Sequence, residues 1–170
     1  NFPVTVFGVA MALEKNPIVV DAIQEMDWEL ASHGYRWIDY KDFSAEEERK
    51  HIKKAIDIHK TLTGSVPIGW YVGRTSPNTR NILLDEVPEI LYDADSYADD
   101  LPYWVEGIKN KPHLIIPYSL DVNDMRFASF QGFNSGEQFF QYCKDAFDVL
   151  YEEGNQSPKM MSIGLHCRLI

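Results

Sequence analysis

Apolar runs with strand character alternate with amphipathic helical patterns along most of the 170 residues. Such alternation is typical of βα units, in which a helix connects neighbouring parallel strands. The run at 114–118 is apolar without alternation, as expected for a strand buried on both faces of a parallel sheet. We therefore predict an α/β fold with strands at Val4–Val9, Trp28–Ser32, Pro67–Val72, Glu89–Tyr92, Leu114–Tyr118 and Lys159–Leu165.

The predicted helices share a recognisable start, which is a Ser or Asn cap followed by Pro, or by Glu or Gln three residues later. Both patterns satisfy the unpaired N–H groups of a first helical turn. The predicted starts are Asn16–Pro17, Ser44–Glu47, Ser76–Pro77 and Ser135–Gln138, and the first, second and fourth helices end near Met26, Gly64 and Gly154. Helical spacing predicts buried faces of Ile52, Ala55, Ile56, His59 and Leu62 in the second helix, and of Phe139, Phe140, Cys143, Ala146, Phe147, Leu150 and Tyr151 in the fourth.

The connections favour a barrel-like (β/α) sheet over a doubly wound open sheet. Long loops follow the strands on one side, and no glycine-rich phosphate loop or dinucleotide fingerprint follows any predicted strand. A polar turn is expected through Lys111. We predict that residues 1–170 form one domain, incomplete at both ends, because a strand opens the chain and another stops just before its end.

Charge and cysteine content restrict the partners. The formal net charge is −10, and the 16 Lys and Arg residues form no basic stripe, which argues against nucleic acid and against anionic membranes. Two cysteines, Cys143 and Cys167, are too few for a disulfide framework, and no signal peptide or membrane-spanning run is present. We expect a cytoplasmic protein with reduced thiols and a small, neutral or cationic partner.

Polar and aromatic side chains gather where the predicted strands end, and active sites of parallel α/β folds lie at those carboxyl ends. The stretch 31–40 is the densest, because His33 ends the second strand and Gly34 permits a sharp turn. The candidates on this rim are His33, Tyr35, Arg36, Trp37, Arg74, Asp93, Asp95, Tyr97, Asp99, Trp104, Asp121, Asn123, Asp124 and His166.

Ordinary structural interpretations stand beside these. Arg74 could pair with a carboxylate of the acidic loop 93–100, and that loop could be a solvated turn. The histidines His51, His59 and His113 are expected to be packing or surface residues, and Cys143 a core residue.

A metal site would need convergent ligands, such as two histidines four residues apart. The residue four positions after His33 is Trp37, whose indole N–H cannot bind a cation. A zinc ion held by His33, His166 and an aspartate stays open, although the pattern does not demand one.

Five stretches resemble the cofactor-independent allantoinases of the polysaccharide deacetylase (NodB-homology) superfamily. They are 31–40 (ASHGYRWIDY), 69–79 (GWYVGRTSPNT), 92–104 (YDADSYADDLPYW), 116–127 (IPYSLDVNDMRF) and 160–169 (MMSIGLHCRL). The resemblance implies a deformed (β/α) barrel and hydrolysis of a carbon–nitrogen bond, with allantoin opened to allantoate. Metal-dependent members carry a His-x-x-x-His motif, of which this chain keeps His33 and has Trp37 in the second place, as in the metal-free branch.

The resemblance also assigns roles. His33 and His166 are expected to act as acid/base and substrate-polarising groups, since their unperturbed pKa values lie near neutrality. Binding of a cyclic ureide is expected from Tyr35, Trp37, Arg74, Asp95, Trp104 and Asp124. No cofactor and a homo-oligomer are implied. Two alternatives stay open, namely a zinc-dependent deacetylase of N-acetylated polysaccharide and a non-catalytic relative that binds without turnover.

Overall fold

The computed structural model describes residues 2–107 and 111–169. The chain divides into two compact units, one formed by Asn1–Asp95 with Tyr103–Ile116 and the other by Ser96–Pro102 with Pro117–Ile170. That residues 1–170 act as a single domain stays a prediction. None of the helices within the described ranges is long and apolar enough to cross a bilayer.

A mixed sheet organises the first unit. Its strands are β1 (Thr5–Gly8), β2 (Glu29–Ser32), β3 (Gly69–Trp70), β4 (Tyr92–Asp93), β5 (Tyr103–Glu106) and β6 (Pro112–Ile115), in the order β1-β2-β3-β4-β6-β5. All neighbouring pairs are parallel except β5 and β6, which are antiparallel. The predicted α/β class with parallel strands is confirmed, and in the described residues β1 and β5 form the edges of the sheet.

The strands differ from the prediction in length and in one addition. β3 keeps two residues of its predicted run, β4 keeps Tyr92 and adds Asp93, and β6 ends at Ile115 instead of Tyr118. β5 was not predicted, because an edge strand with alternately half-buried and exposed residues lacks the continuous apolar run of a buried strand. The polar turn expected through Lys111 includes residues 108–110, which lie outside the described residues.

Four helices accompany this sheet within the described residues: α1 (Ala10–Lys15), α2 (Pro17–Glu25), α3 (Ala45–Thr63) and α4 (Thr79–Glu86). The short α1 was not predicted. Asn16 does stand before α2, but its side chain donates to the carbonyl of Ala12 in α1 instead of capping α2. Ser76 is not the cap of α4, because its hydroxyl donates to Glu48 and accepts the Asn78 N–H; Asn78 takes the cap position.

Helix α3 supplies much of the core. The capping box of Ser44 and Glu47 is present, and Gly64 ends the helix in the left-handed region at φ 78°, which glycine adopts without a Cβ clash. Ile52, Ala55 and His59 are buried as predicted. Ile58 and Glu48 are buried as well, whereas Ile56 and Leu62 are only partly buried. The core cluster also contains Tyr35, Trp70, Val72, Ile82, Leu83, Val87 and Ile90.

The second unit contains a 3₁₀ helix (Asp124–Ala128) and a long helix, α5 (Gly136–Glu153). Ser135 caps α5 by accepting the Gln138 N–H, but the Gln138 side chain accepts from Asn134 instead of Ser135, so only half of the predicted capping box forms. The sixth strand predicted at Lys159–Leu165 is wrong. A single parallel bridge between Asn123 and Gly164 replaces it.

The predicted buried face of α5 is also wrong, because no residue of this helix is buried. Phe139 joins an aromatic cluster with Phe127 and Phe133, with ring centroids 5.3–5.8 Å apart, and Tyr142 in the next turn contacts Phe133 with centroids 5.5 Å apart. Cys143 is half-buried and is not a core residue. Helical periodicity identifies the apolar side of a helix, but it does not tell whether a surface exists to cover that side.

Candidate functional site

His33 lies directly after β2. Its backbone N–H continues the parallel ladder by donating to the Gly8 carbonyl at 2.8 Å, and its ring contacts Tyr71 with centroids 5.2 Å apart. Gly34 follows in the left-handed region, at φ 69°, and a Cβ there would lie 2.8 Å from Val72. The sharp turn predicted at Gly34 is therefore confirmed, and it fixes the position of His33 at the carboxyl end of the strand.

Asp95 lies two residues beyond β4, and its carboxylate binds the backbone that follows β3. Oδ1 accepts the N–H groups of Val72 and Gly73 at 3.0 and 2.6 Å. Burial raises the pKa of Asp95 to about 7, although those two N–H groups oppose the shift. Asp95 can therefore hold or release a proton near neutrality.

Asp93 anchors a buried ionic network that the sequence did not predict. Its carboxylate accepts two hydrogen bonds from Arg80, at 2.7 and 3.1 Å, and one from His113 at 3.0 Å. Burial tends to raise the pKa of Asp93, but hydrogen bonds from His113 and Arg80 lower it below its usual value. Asp93 is thus not a solvated turn residue. His113 is buried, as a packing residue would be, yet it bonds a carboxylate.

A cavity of about 170 Å³ lies beside this network. It is lined by Trp70, Thr75, Ser76, Pro77, Thr79, Arg80, Leu83, Asp93 and Asp95. Among the predicted binding residues of the first unit, Asp95 lines this cavity. Arg80 was missed because it lies on a helix, and only residues at strand ends were considered.

Arg74 and Trp37 form a stacked pair at the surface of the first unit. The guanidinium carbon of Arg74 lies 4.2 Å from the centroid of the Trp37 ring, a cation–π contact, and Trp37 is 52% exposed. The pairing of Arg74 with the acidic loop is not observed in the described part of the chain. The pair presents a planar cation beside an aromatic face, which suits a flat, polar ligand.

The other two predicted binding residues of the first unit lie elsewhere. Tyr35 belongs to the core cluster, and the Lys54 ammonium lies 4.6 Å from its ring centroid. Trp104 lies on the edge strand β5, pairs with Leu114 and is 67% exposed. Neither residue lines the cavity next to Asp95.

In the second unit, His166 is held by Asp124. The carboxylate accepts the His166 backbone N–H at 2.7 Å and a second hydrogen bond from Nδ1 at 2.6 Å. Asp124 is fully buried, whereas 37% of the His166 side chain is exposed. Asn123 supports the arrangement because its side chain caps the 3₁₀ helix that begins at Asp124. Asp124 thus orients a predicted catalytic histidine, and its own predicted role in substrate binding stays a prediction.

The chemical consequence concerns the histidine tautomer. An ionised carboxylate is an acceptor only, so an imidazole that bonds it through Nδ1 donates from Nδ1, and in the neutral imidazole Nε2 then has the lone pair. This is how carboxylates orient imidazoles that act as general bases. His33 belongs to the first unit and His166 to the second.

The second unit also contains a cavity of about 850 Å³, whose wall includes Tyr97, Asp99, Asp100 and Tyr118. The acidic loop predicted at the rim thus contributes to a cavity wall. His166 is not among the residues that line it.

The donor set does not fit a zinc ion. Trp37 stands where the second histidine of a His-x-x-x-His pair would be, and its side chain is stacked on Arg74. Across residues 2–107 and 111–169, no three His, Cys, Asp or Glu side chains converge as metal ligands. We therefore derive no step through a metal.

Comparisons with known proteins agree on one family. Residues 1–86 match the family model described as Polysaccharide deacetylase. A protein of Schizosaccharomyces pombe (strain 972), provisionally named a polysaccharide deacetylase, is 45% identical over 182 residues, which cover 98% of this chain and 57% of that protein.

Two solved structures match with a TM-score of 0.93 and cover 98% of this chain. One, from Pseudomonas aeruginosa PAO1, is provisionally described as a polysaccharide deacetylase, is 60% identical and is covered to 56%. The other, Puue Allantoinase, is 56% identical and is covered to 55%. These matches confirm the predicted α/β fold of the polysaccharide deacetylase type. The chain spans a little more than half the length of these relatives.

Proposed function

Because the chain belongs to the polysaccharide deacetylase family, we propose that it is part of a hydrolase that opens the hydantoin ring of allantoin to allantoate in purine breakdown. The observation that carries the proposal is the His166 imidazole oriented by the buried carboxylate of Asp124. The 56% identity to Puue Allantoinase supports the choice of substrate.

The proposed reaction adds water to the ring carbonyl carbon next to the C–H carbon. The bond from the carbonyl carbon to the ring nitrogen breaks, the carbonyl carbon becomes that of a carboxylate, and the nitrogen takes a proton. A general base must accept a proton from water, and an acid must protonate the leaving nitrogen. Nε2 of His166 is suited to the first role, because Asp124 binds the proton on Nδ1 and stabilises the imidazolium that forms.

The remaining candidate residues are predictions from the sequence and lie in the first unit. His33 is the second acid/base candidate, and Arg74, stacked on Trp37, would donate hydrogen bonds to the ureide oxygens. Asp95, Tyr35 and Trp104 stay predictions as ligand contacts, and of these Asp95 lines the 170 Å³ cavity described above. The reaction so written needs no cofactor.

A zinc-dependent deacetylase of N-acetylated polysaccharide is the second candidate function. The names of the Schizosaccharomyces pombe and Pseudomonas aeruginosa relatives favour it. The indole of Trp37 counts against it, since that side chain offers no lone pair to a cation.

The test uses the full-length protein that contains this chain. Wild type is expected to open allantoin, and His166→Ala or His33→Ala to lower the turnover number by about 10²- to 10⁴-fold, the usual contribution of a positioned acid or base. His51→Gln is the matched control, because His51 lies on α3 and bonds Tyr40. Near-normal turnover in His166→Ala, or acetate release from an N-acetylated oligosaccharide without allantoin turnover, would contradict the proposal.

A further inference from the structure

The segment between β3 and α4 carries Arg74 and is fastened at both ends by carboxylates from other elements. At its start, Asp95 accepts the N–H groups of Val72 and Gly73. Asp95 is itself held, because its backbone N–H donates to Asp93 at 3.0 Å. The backbone that precedes Arg74 therefore has a fixed direction.

At the other end of the segment, Glu48 of α3 binds two hydroxyl groups. Ser76 Oγ donates to Glu48 at 2.5 Å, and Thr79 Oγ1 donates to its other carboxylate oxygen. All three residues are buried, with Glu48 only 1% exposed. A second link joins the two hydroxyl residues, because the Ser76 N–H donates to Thr79 Oγ1 at 2.8 Å.

A buried carboxylate on a helix face costs free energy unless its oxygens are bonded. An apolar residue at position 48 would suit the core, which contains Ile52 and Ala55 on the same face of α3. The two hydrogen bonds that Glu48 accepts fix the backbone path of residues 76–79. Arg74 lies between the two fastened ends, and its own carbonyl accepts the Tyr40 N–H at 3.1 Å.

We infer that Glu48 is a positioning residue for Arg74, holding the segment 72–79 so that the guanidinium stays over Trp37 and meets the ureide oxygens of the substrate. The inference rests on the proposed function for the role of Arg74. Glu48 contacts no ligand in this account and acts only through Ser76 and Thr79.

The experiment compares Glu48→Leu, which keeps a similar volume without an acceptor, with Glu48→Gln, which keeps one acceptor oxygen. In the full-length protein, Glu48→Leu is expected to raise the KM for allantoin at least about five-fold, because two buried hydroxyls lose their acceptor and the loop shifts. Glu48→Gln is expected to restore part of the loss. Ile52→Val, on the same buried face, is the control for lost stability and is expected to leave KM unchanged.

A double-mutant cycle with Arg74→Ala separates positioning from general damage. If Glu48 acts through Arg74, Glu48→Leu changes KM little once Arg74 is absent. An unchanged KM in Glu48→Leu alone, or an equal rise in the Arg74→Ala background, would overturn the inference. Should Glu48→Leu fail to fold, Ser76→Ala and Thr79→Val remove the two hydroxyls one at a time and replace it in the cycle.

Amide hydrogen exchange gives a readout that does not depend on the substrate. Exchange in residues 72–79 is expected to accelerate in Glu48→Leu and not in Ile52→Val. If wild type does not open allantoin, the proposed function fails, and exchange alone then decides whether Glu48 fastens this segment. Unchanged exchange in Glu48→Leu would refute the fastening itself.

Discussion

Helices α3 and α5 begin with a serine cap and carry apolar stripes of similar length, yet only α3 buries its stripe. Ile52, Ala55 and Ile58 lie in the core of the first unit, whereas no residue of α5 is buried and Phe147 is 53% exposed. A sequence pattern therefore predicts the direction of an apolar face more reliably than its burial.

The two units also differ in the surroundings of their titratable side chains. In the first unit, Asp93 ends β4 and is buried together with the core residues, and Asp95 lies two residues beyond it. In the second unit, His166 depends on one carboxylate, that of Asp124. We therefore expect substitutions of core residues in the first unit, as distinct from the candidate site residues His33 and Arg74, to act mainly on stability, and substitutions around His166 to act mainly on rate.

The largest expected effect is that of Asp124→Asn. The amide cannot stabilise the imidazolium and favours the wrong tautomer of His166, so the turnover number for allantoin should fall by about 10²- to 10⁴-fold. The pH profile of the turnover number should change with it, which a purely structural role of Asp124 would not cause. Asp121→Asn, an exposed neighbour bonded to Ser119, is the control and should keep wild-type turnover. Equal losses in both variants would refute the orienting role of Asp124.

The next effect is that of Ile52→Ala in α3. Truncation of this buried side chain should lower the free energy of unfolding by about 2–5 kcal/mol, through lost burial and a cavity. Urea unfolding of the full-length protein measures the loss. Turnover of the remaining folded protein should stay near wild type. A large fall in that turnover would contradict the expectation that core substitutions in the first unit act mainly on stability.

A smaller effect follows from His59, which is buried in α3. Burial lowers the pKa of His59 to about 4, so the folded protein keeps this imidazole neutral. The unfolded chain, with a pKa near 6.5, binds the proton first, and stability falls as pH drops from about 6.5 towards 4. The loss below pH 4 reaches about 3 kcal/mol. His59→Gln should remove this part of the pH dependence of unfolding, and an unchanged slope between pH 6.5 and 4 would contradict it.

The smallest effect is expected from the helix caps. Ser44→Ala and Ser135→Ala each remove a side-chain acceptor of a first-turn N–H, and each should cost about 1 kcal/mol. Denaturant unfolding of both variants tests the comparison of α3 with α5 directly. Caps act locally, so similar losses are expected even though the two helices differ in burial. A loss several times larger in one helix would show that the caps also depend on packing.

Much of the fold could be predicted from the sequence because the signals are local. Strand and helix alternation, the cap at Ser44 and the stop at Gly64 each depend on neighbouring residues. The errors arose where distant residues decide. The strand at 159–165 had no pairing partner beyond the bridge at Gly164, and Ser76 was drawn from its cap position by Glu48.

The candidate site was predictable to the same extent. The rule that sites lie at strand ends selected His33, Asp95 and Asp124 as candidates, which stay predictions, but it did not predict the bond between Asp124 and His166, which are 42 residues apart. Arg80 was missed because it lies on α4 and reaches a strand end only through its long side chain. Tyr35 packs into the core because the direction of a side chain in a turn depends on the helix that covers it.

The central claim is a ring-opening hydrolase centred on His166, and the most direct measurement is allantoin turnover by the full-length protein before and after exhaustive chelation. Metal content is read on the same sample. Undiminished turnover is expected in metal-free protein, because side chains carry out the proposed proton transfers. Loss of turnover on chelation, restored by zinc, would contradict it and would favour the metal-dependent deacetylase chemistry instead.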